Sequence, residues 1–518
     1  MGRILRVLAA ALLVWAVWPM GQVTARTVRI AVSTDTTSVD PHFAQIGTNV
    51  VLAQHIFDTL VEFGPDLTMR PGLAESWRLT EDPHVWEFRL RRGVTFHDGS
   101  PFTSRDAMFS LRRAPDVPNA PSSYRRHLVD IADIAAPDDH TLRIRTRVPL
   151  PTLPNSVAPI AIVNHRIGDR AEPGAFNTGQ HAIGTGPYRF VEWVSGSHIR
   201  LAAAPAYWRG KPVWDEVVFR PIVNPGARVA ALLAGDVDAI NDVPPIDAPR
   251  LAREPRLALW RDLSSRVIFW MFDVHRAQTP HVTAKDGAPI DNPFRDARVR
   301  RAFSLAIDRD AIVRQVMDGL AVPAGQVVPP MLPGHDPDLR MPAADLAAAR
   351  RLMAEAGFAD GFRLTLHVTA NRYPNDLKQA QAVAQMLSRI GVEAKVASLP
   401  LAVYFNEARK HAFSFALVGW GFNSGDAHVV LRETFQTDAL NNYGRWSNAQ
   451  ADVLLARAQG EMDPTARARA MAELQRVAIG DTAVIPTHFQ INLWATRKGL
   501  RLIPRVDEST LADEIRPE

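Results

Sequence analysis

Glycine-rich turns, paired carboxylates and 16 histidines are the residues here that could carry chemistry, and each pattern stops short of a catalytic one. A serine hydrolase of the α/β type exposes its nucleophile on a Gly-x-Ser-x-Gly elbow, and the chain has none. It has no cysteine either, which excludes thiolate nucleophiles, thiolate zinc sites and disulfides together. His-Glu-x-x-His, which would set two imidazoles on one helix face for zinc, is also missing. Gly184-Thr185-Gly186 runs into Pro187-Tyr188, and Gly419-Trp420-Gly421 lacks a third glycine at the spacing of a phosphate-binding loop. The histidines are dispersed, and Asp138-Asp139 sits in a turn context as a solvated pair. No cofactor, metal or catalytic residue is expected.

The elements that would position a site fall into two styles. Early in the chain Val28, Ile30 and Val32 alternate inward over residues 27–33, Trp86 to Leu90 alternates again, and so does Leu142 to Arg145. These read as strands, with a turn at His97-Asp98-Gly99 and an amphipathic helix over Ser104 to Arg113. Residues 114–180, rich in Pro, Asn, Asp and Gly, are expected to be mostly irregular surface. Later, strands and helices alternate. Leu364, Leu366 and Val368 mark a strand; Leu377, Ala380, Ala384 and Leu387 a helix stopped by Gly391; Val392, Ala394 and Val396 a strand; 400–410 and 413–419 repeat the pattern. Val299, Ala302, Phe303 and Ala306 stripe one helix, and Asp345 caps another that ends at Gly357. Such spacing predicts βαβ units and a largely parallel sheet covered on both faces.

Residues 1–25 read as a secretory signal: Arg3 and Arg6, an apolar run from Val7 to Trp18, then Val23-Thr24-Ala25 as the small-residue cleavage pattern. The run is far shorter than the roughly 20 residues of a membrane span. Without a cysteine to carry lipid, the mature chain from Arg26 is expected free in the periplasm. Its remaining length exceeds what one core usually supports, so two or more domains are expected. The 59 basic and 55 acidic side chains are scattered, with no like-charge block that would suit nucleic acid.

Five motifs in series carry a resemblance. They are Leu73-Ala74-Glu75-Ser76-Trp77; Phe96-His97-Asp98-Gly99-Ser100-Pro101-Phe102-Thr103-Ser104-Arg105-Asp106; Gly184-Thr185-Gly186-Pro187-Tyr188-Arg189-Phe190; Leu232-Leu233-Ala234-Gly235-Asp236-Val237-Asp238; and Pro293-Phe294-Arg295-Asp296-Ala297-Arg298-Val299-Arg300-Arg301-Ala302. In this order they resemble the bacterial extracellular solute-binding family five, the dipeptide, oligopeptide and nickel-chelate binding proteins of ABC importers. Locally, Gly184 and Gly186 are expected to allow backbone angles that other residues resist, and Pro187 to fix entry to a strand.

The resemblance implies an α/β, two-lobed periplasmic binding protein of the large peptide-binding type (class II), with mixed sheets and two hinge crossings near 272–280 and 485–492. Lobe one would cover 26–275, with an extra β-rich subdomain at about 60–180; lobe two 276–487; and 488–518 would return to lobe one. It implies a monomeric receptor, not an enzyme, that closes on a peptide or peptide-like solute and delivers it to an ABC permease and its ATPase. A glutathione-like compound, an opine or a metal chelate is the alternative cargo, and a secreted hydrolase the alternative class. Peptide-binding members resemble Trp-x-x-Asp-x-x-Asp-Pro where this chain has Trp420-Gly421-Phe422-Asn423-Ser424-Gly425-Asp426-Ala427, so the neutral Asn423 replaces the carboxylate that meets a peptide ammonium. Asp426 either substitutes for it or caps a helix starting at Ala427, and Trp420 either offers its face to cargo or fills the core. His488 is expected in the cleft. Thr48 and Asn49 either face cargo or cap a helix. Trp420, Gly421, Asn423, Asp426, His488, Thr48 and Asn49 are thus the candidate ligand-binding residues.

Overall fold

The computed structural model describes residues 26–168, 171–340, 342–370 and 372–518. The export segment read over 1–25 lies outside the described residues. A 12-stranded mixed sheet runs through both halves of the molecule. In the first lobe Thr27–Val32 pairs in parallel with Glu216–Pro221 and Ala239–Ile240, and the sheet continues antiparallel through His198–Ala203 to Tyr188–Val194. In the second lobe Arg363–Thr369 pairs in parallel with Glu393–Leu399 and Phe415–Gly421, each pair linked by one helix, Asp376–Ser388 or Leu401–Arg409.

Two long antiparallel strands join the halves: Leu257–Phe272, of 16 residues, and Val484–Arg497, of 14. At about 3.3 Å per residue they are long enough to serve two cores. Leu257 and Leu259 pack on a first-lobe core, whereas Val267, Phe269 and Met271 enter one second-lobe core and Ile268, Trp270 and Phe272 another. Leu493 and Phe489 change cores in the same way. Each of these strands therefore passes from one core to another along its length, between Leu259 and Val267 and between Phe489 and Leu493. A register slip between Leu263 and Val267 marks the first passage. Residues 273–280 pack on the second half of the chain, where Asp273 N donates to Ser414 O at 2.9 Å and Thr279 Oγ1 to Ser414 Oγ at 3.0 Å. The C-terminal segment packs Leu502, Ala512 and Ile515 into the first lobe.

A separate four-stranded sheet, in the order Ala74–Leu79, Val85–Leu90, Thr141–Thr146, Ile131–Asp138, is backed by the Ser104–Arg113 helix. Two sequence expectations fail in this region. Residues 114–180 are not mainly surface wrapping: Ile131–Asp138 completes the sheet, and Leu153, Val157, Ile160, Ile162 and Val163 are fully buried. Two register shifts in the Ile131–Asp138 pairing break its alternation, which hides it from a period-two reading. Nor are Gly184 and Gly186 required for unusual angles. A Cβ at Gly184 would stand 1.9 Å from the Ile56 carbonyl oxygen, and one at Gly186 would stand 2.7 Å from the Ile56 carbonyl carbon. His97 locks this contact, accepting from Gly184 N at 3.2 Å through Nδ1 while its Nε2 meets Gly186 O at 2.9 Å. Burial holds its pKa down to about 4, so the imidazole stays neutral.

Candidate functional site

Where the first long strand passes between cores, Ser264-Ser265-Arg266 precede the apolar run 267–272, and all three are buried. The register slip leaves their backbone to other partners: Ser265 N donates to Val506 O at 2.8 Å. Arg266 grips Glu508 with two hydrogen bonds, of 2.8 and 2.9 Å, and Ser264 Oγ donates to the same carboxylate at 2.8 Å. Burial alone would raise the Glu508 pKa. The Arg266 charge and hydrogen bonds, with Arg372 nearby, outweigh it and hold the carboxyl below its ordinary value. Glu508 reaches this position from a left-handed backbone, φ 69°.

Register then decides which side chains share a face. Val267 stands opposite Phe489, so the preceding Arg266 points to the same side of the sheet as His488, Gln490 and Asn492. All three are buried, His488 at 1% exposure and the two amides at 5%. Gln490 Nε2 donates to Asn492 Oδ1 at 2.6 Å, and Asn492 Nδ2 has no partner among the described residues. Burial pushes the His488 pKa down to about 4, leaving a neutral ring. The wall is extended by Tyr373, whose hydroxyl donates to Gly419 O at 3.0 Å and whose ring lies 6.0 Å from the Arg266 guanidinium and 5.3 Å from that of Arg372. Asp376 fixes this turn, accepting from Arg372 N and Thr369 Oγ1 at 3.0 and 2.9 Å.

The residues singled out from sequence are distributed unevenly about this wall. Gly421 stands opposite Arg266, and a Cβ there would lie 3.2 Å from Arg266 Nη2; the glycine leaves room for the guanidinium. Asn423 is exposed beside it, with Oδ1 accepting from Ser265 Oγ at 3.3 Å. His488 is on the Arg266 face. Trp420 stands opposite Val267, hence on the other face, half-buried against a second-lobe core. Asp426 is buried in an ion pair with Arg467 and accepts from His428 N at 2.8 Å, at the start of the His428–Phe435 helix. Thr48 and Asn49 are not caps, because Ile46 occupies that position of the Gly47–Ile56 helix. Thr48 Oγ1 donates to Asp35 O at 3.2 Å, and Asn49 exchanges hydrogen bonds of 3.0 Å with Thr37, so the pair braces the 35–37 loop. Arg266, Tyr373, Gln490, Asn492 and Glu508 were not found from sequence. Only the polar alternation 488, 490, 492 gave a local signal.

The lobes also touch. Asn155 Nδ2 donates to Ser424 O at 2.9 Å, and Leu67 of the first lobe lies in a second-lobe core. Among the described residues no group of three His, Asp or Glu is placed to hold a metal, and no helix is long and apolar enough to cross a membrane.

Residues 68–442 match the family described as bacterial extracellular solute-binding proteins, family 5. The chain belongs to that family. As a family five solute-binding protein it is the binding component of an ABC importer, not an enzyme. It is 30% identical over 444 residues to the glutathione-binding protein GsiB of Pectobacterium atrosepticum, covering 84% of this chain and 83% of the relative. Among solved structures it resembles AgaA from A. tumefaciens R10, in complex with agropinic acid, at 25% identity and a TM-score of 0.76, covering 95% and 99% of the two chains. The fold is shared too by DppA from Helicobacter pylori, in complex with the peptide STSA, at 22% identity, a TM-score of 0.79, and coverage of 95% and 98%.

Proposed function

We propose that this family five protein binds a peptide or peptide-like solute in the periplasm, against the Arg266–Gln490–Asn492 wall, and carries it as a monomer to its permease and ATPase. The observation that carries this reading is the row of buried polar side chains at the passages between lobes, where packing alone would favour apolar ones. Rotation about the two passages would let cargo contact both lobes at once and shift the population toward the closed form. A cargo outside the ordinary peptides, such as a glutathione-like compound or an opine, is favoured by Asn423, whose neutral amide offers an ammonium a weaker acceptor than a carboxylate. The glutathione-binding relative and the neighbour holding agropinic acid point the same way. Native mass spectrometry of protein taken from periplasmic extract is the test. A bound mass lost on denaturation, identified as an amino-acid conjugate, supports the reading. Empty protein that turns over peptides without retaining them would refute it.

A further inference from the structure

The strand that carries the wall changes its facing part-way along. Val484 and Phe489 lie in one core, with Phe269 and Val267, although they are five residues apart, while Ile485 lies in another with Ile268 and Trp270. A regular strand puts residues at that separation on opposite faces. The pairing explains the exception: Ile268 stands opposite His488 and Phe269 opposite Pro486, so Thr487 has no counterpart and forms a bulge. Building on the proposed cargo wall, we infer that Thr487 is a positioning residue for cargo binding. As the extra residue of the bulge it turns His488, Gln490 and Asn492 to the Arg266 side of the sheet, and its hydroxyl makes the His488 ring an acceptor, at Nε2, for an N–H or O–H of the cargo.

In a regular register the same three side chains would point to the side of Val484 and Pro486, into the core that holds Val267, Phe269 and Met271. The bulge is held from several sides. Thr487 is fully buried; its Oγ1 donates to Ile268 O at 2.8 Å and accepts from Gln379 Nε2, on the Asp376–Ser388 helix, at 3.0 Å. Its carbonyl accepts from Ala324 N at 3.1 Å, and Arg309 Nε donates to Pro486 O at 2.7 Å. The carbonyls at the bulge thus have partners beyond the strand pairing. The Thr487 hydroxyl also lies 3.3 Å from His488 Nδ1. A hydroxyl has one proton, and the Ile268 carbonyl, which can only accept, takes it. Nδ1 must then be the donor in its own contact. The ring is neutral, so its lone pair falls to Nε2, which makes no hydrogen bond among the described residues.

Two readouts on the full mature protein test this: heteronuclear NMR of histidine-labelled protein, with the His488 signal recognised by its loss in His488→Asn, and calorimetric titration with glutathione and with Ala-Phe. The cargo-free parent should carry the His488 proton on Nδ1. Thr487→Val keeps the shape and removes the hydroxyl, so the proton should move to Nε2, and affinity for the probe that binds should fall about 10-fold. Thr487→Ser restores the hydroxyl and should keep the parent tautomer, with affinity within about threefold. Ser110→Ala removes a buried hydroxyl that bonds Asp106 O and Val163 N far from the wall; it should lower the urea midpoint and leave affinity unchanged. A parent with the proton on Nε2, a Thr487→Val protein whose tautomer or affinity is unchanged, or a Ser110→Ala protein that binds as weakly as Thr487→Val would overturn the inference while sparing the cargo reading. A parent that binds neither probe would overturn both.

Discussion

Leu67 offers a direct measure of how strongly the two lobes hold each other. It stands at the tip of the hairpin formed by Val61–Phe63 and Met69–Pro71, in the first lobe, yet its side chain is only 6% exposed because it lies in a second-lobe core. Its backbone is left-handed, φ 63°, a conformation that costs a branched side chain about 1–2 kcal/mol. The hairpin is held in place by Arg505, which donates to Phe63 O at 3.0 Å and Gly64 O at 3.3 Å, and it abuts Gly425, where a Cβ would stand 2.9 Å from the Phe63 ring. Opening of the lobes would withdraw Leu67 into water, so Leu67→Ala should weaken closure by about 2 kcal/mol, the transfer energy of most of a leucine side chain. That is roughly a 30-fold shift toward the open form, and cargo affinity should fall by up to the same factor. Small-angle scattering of the cargo-free variant should show a larger radius of gyration, calorimetry the weaker binding, and Leu67→Met should restore most of both. If Leu67→Ala instead lowered the urea midpoint and left affinity and radius unchanged, Leu67 would be an ordinary core residue and the clasp would not exist.

Asn423→Asp should strengthen binding of ligands with a free ammonium and not of their acetylated counterparts; equal gains for both, by calorimetry, would show that this position does not face an amine. Asp426→Ala leaves the buried Arg467 charge uncompensated and should cost about 3–5 kcal/mol in urea unfolding, with affinity of the folded protein unchanged; a selective loss of affinity would place Asp426 at the cargo instead. Gly184→Ala, whose Cβ would meet the Ile56 carbonyl at 1.9 Å, should lose about 3 kcal/mol or more, read as faster amide exchange in the Gly47–Ile56 helix, whereas unchanged exchange would mean that the contact relaxes easily. Burial lowers His42, His97, His367, His428 and His488 to about 4 and His127 to about 3, so the stability they contribute is complete above pH 6.5 and is lost as pH falls toward 4. Burial raises Asp58 to about 7 and also raises Glu62 and Glu514, which acts in the opposite direction, but six imidazoles outweigh three carboxyls at about 1.4 kcal/mol per pH unit per proton; a urea midpoint that stays flat from pH 7 to 5 would contradict this.

Elements with one wet face were legible, and elements buried on both faces were not. Thr141–Thr146 and Asp376–Ser388 show clean periods because solvent selects their outer positions. The second half of Leu257–Phe272 is buried throughout, so no alternation separates it from a core helix. The same physics governs the site. Gly421 and Asn423 were reached through a motif, since both lie on one short run. Arg266 and Glu508 are 242 residues apart, and nothing near either one announces the other. Asp426 shows what motif positions leave out: a carboxylate at a suggestive spacing pairs with Arg467, 41 residues away, and spacing along the chain carries no record of that partner. What sequence does record is an unusual expense of polarity. His488, Gln490 and Asn492 repeat at period two in a strand that must enter a core, and burying three polar side chains in register is unfavourable unless something meets them. On that reasoning a polar period-two run inside an otherwise apolar strand is better evidence for a cleft wall than an isolated charge in a loop.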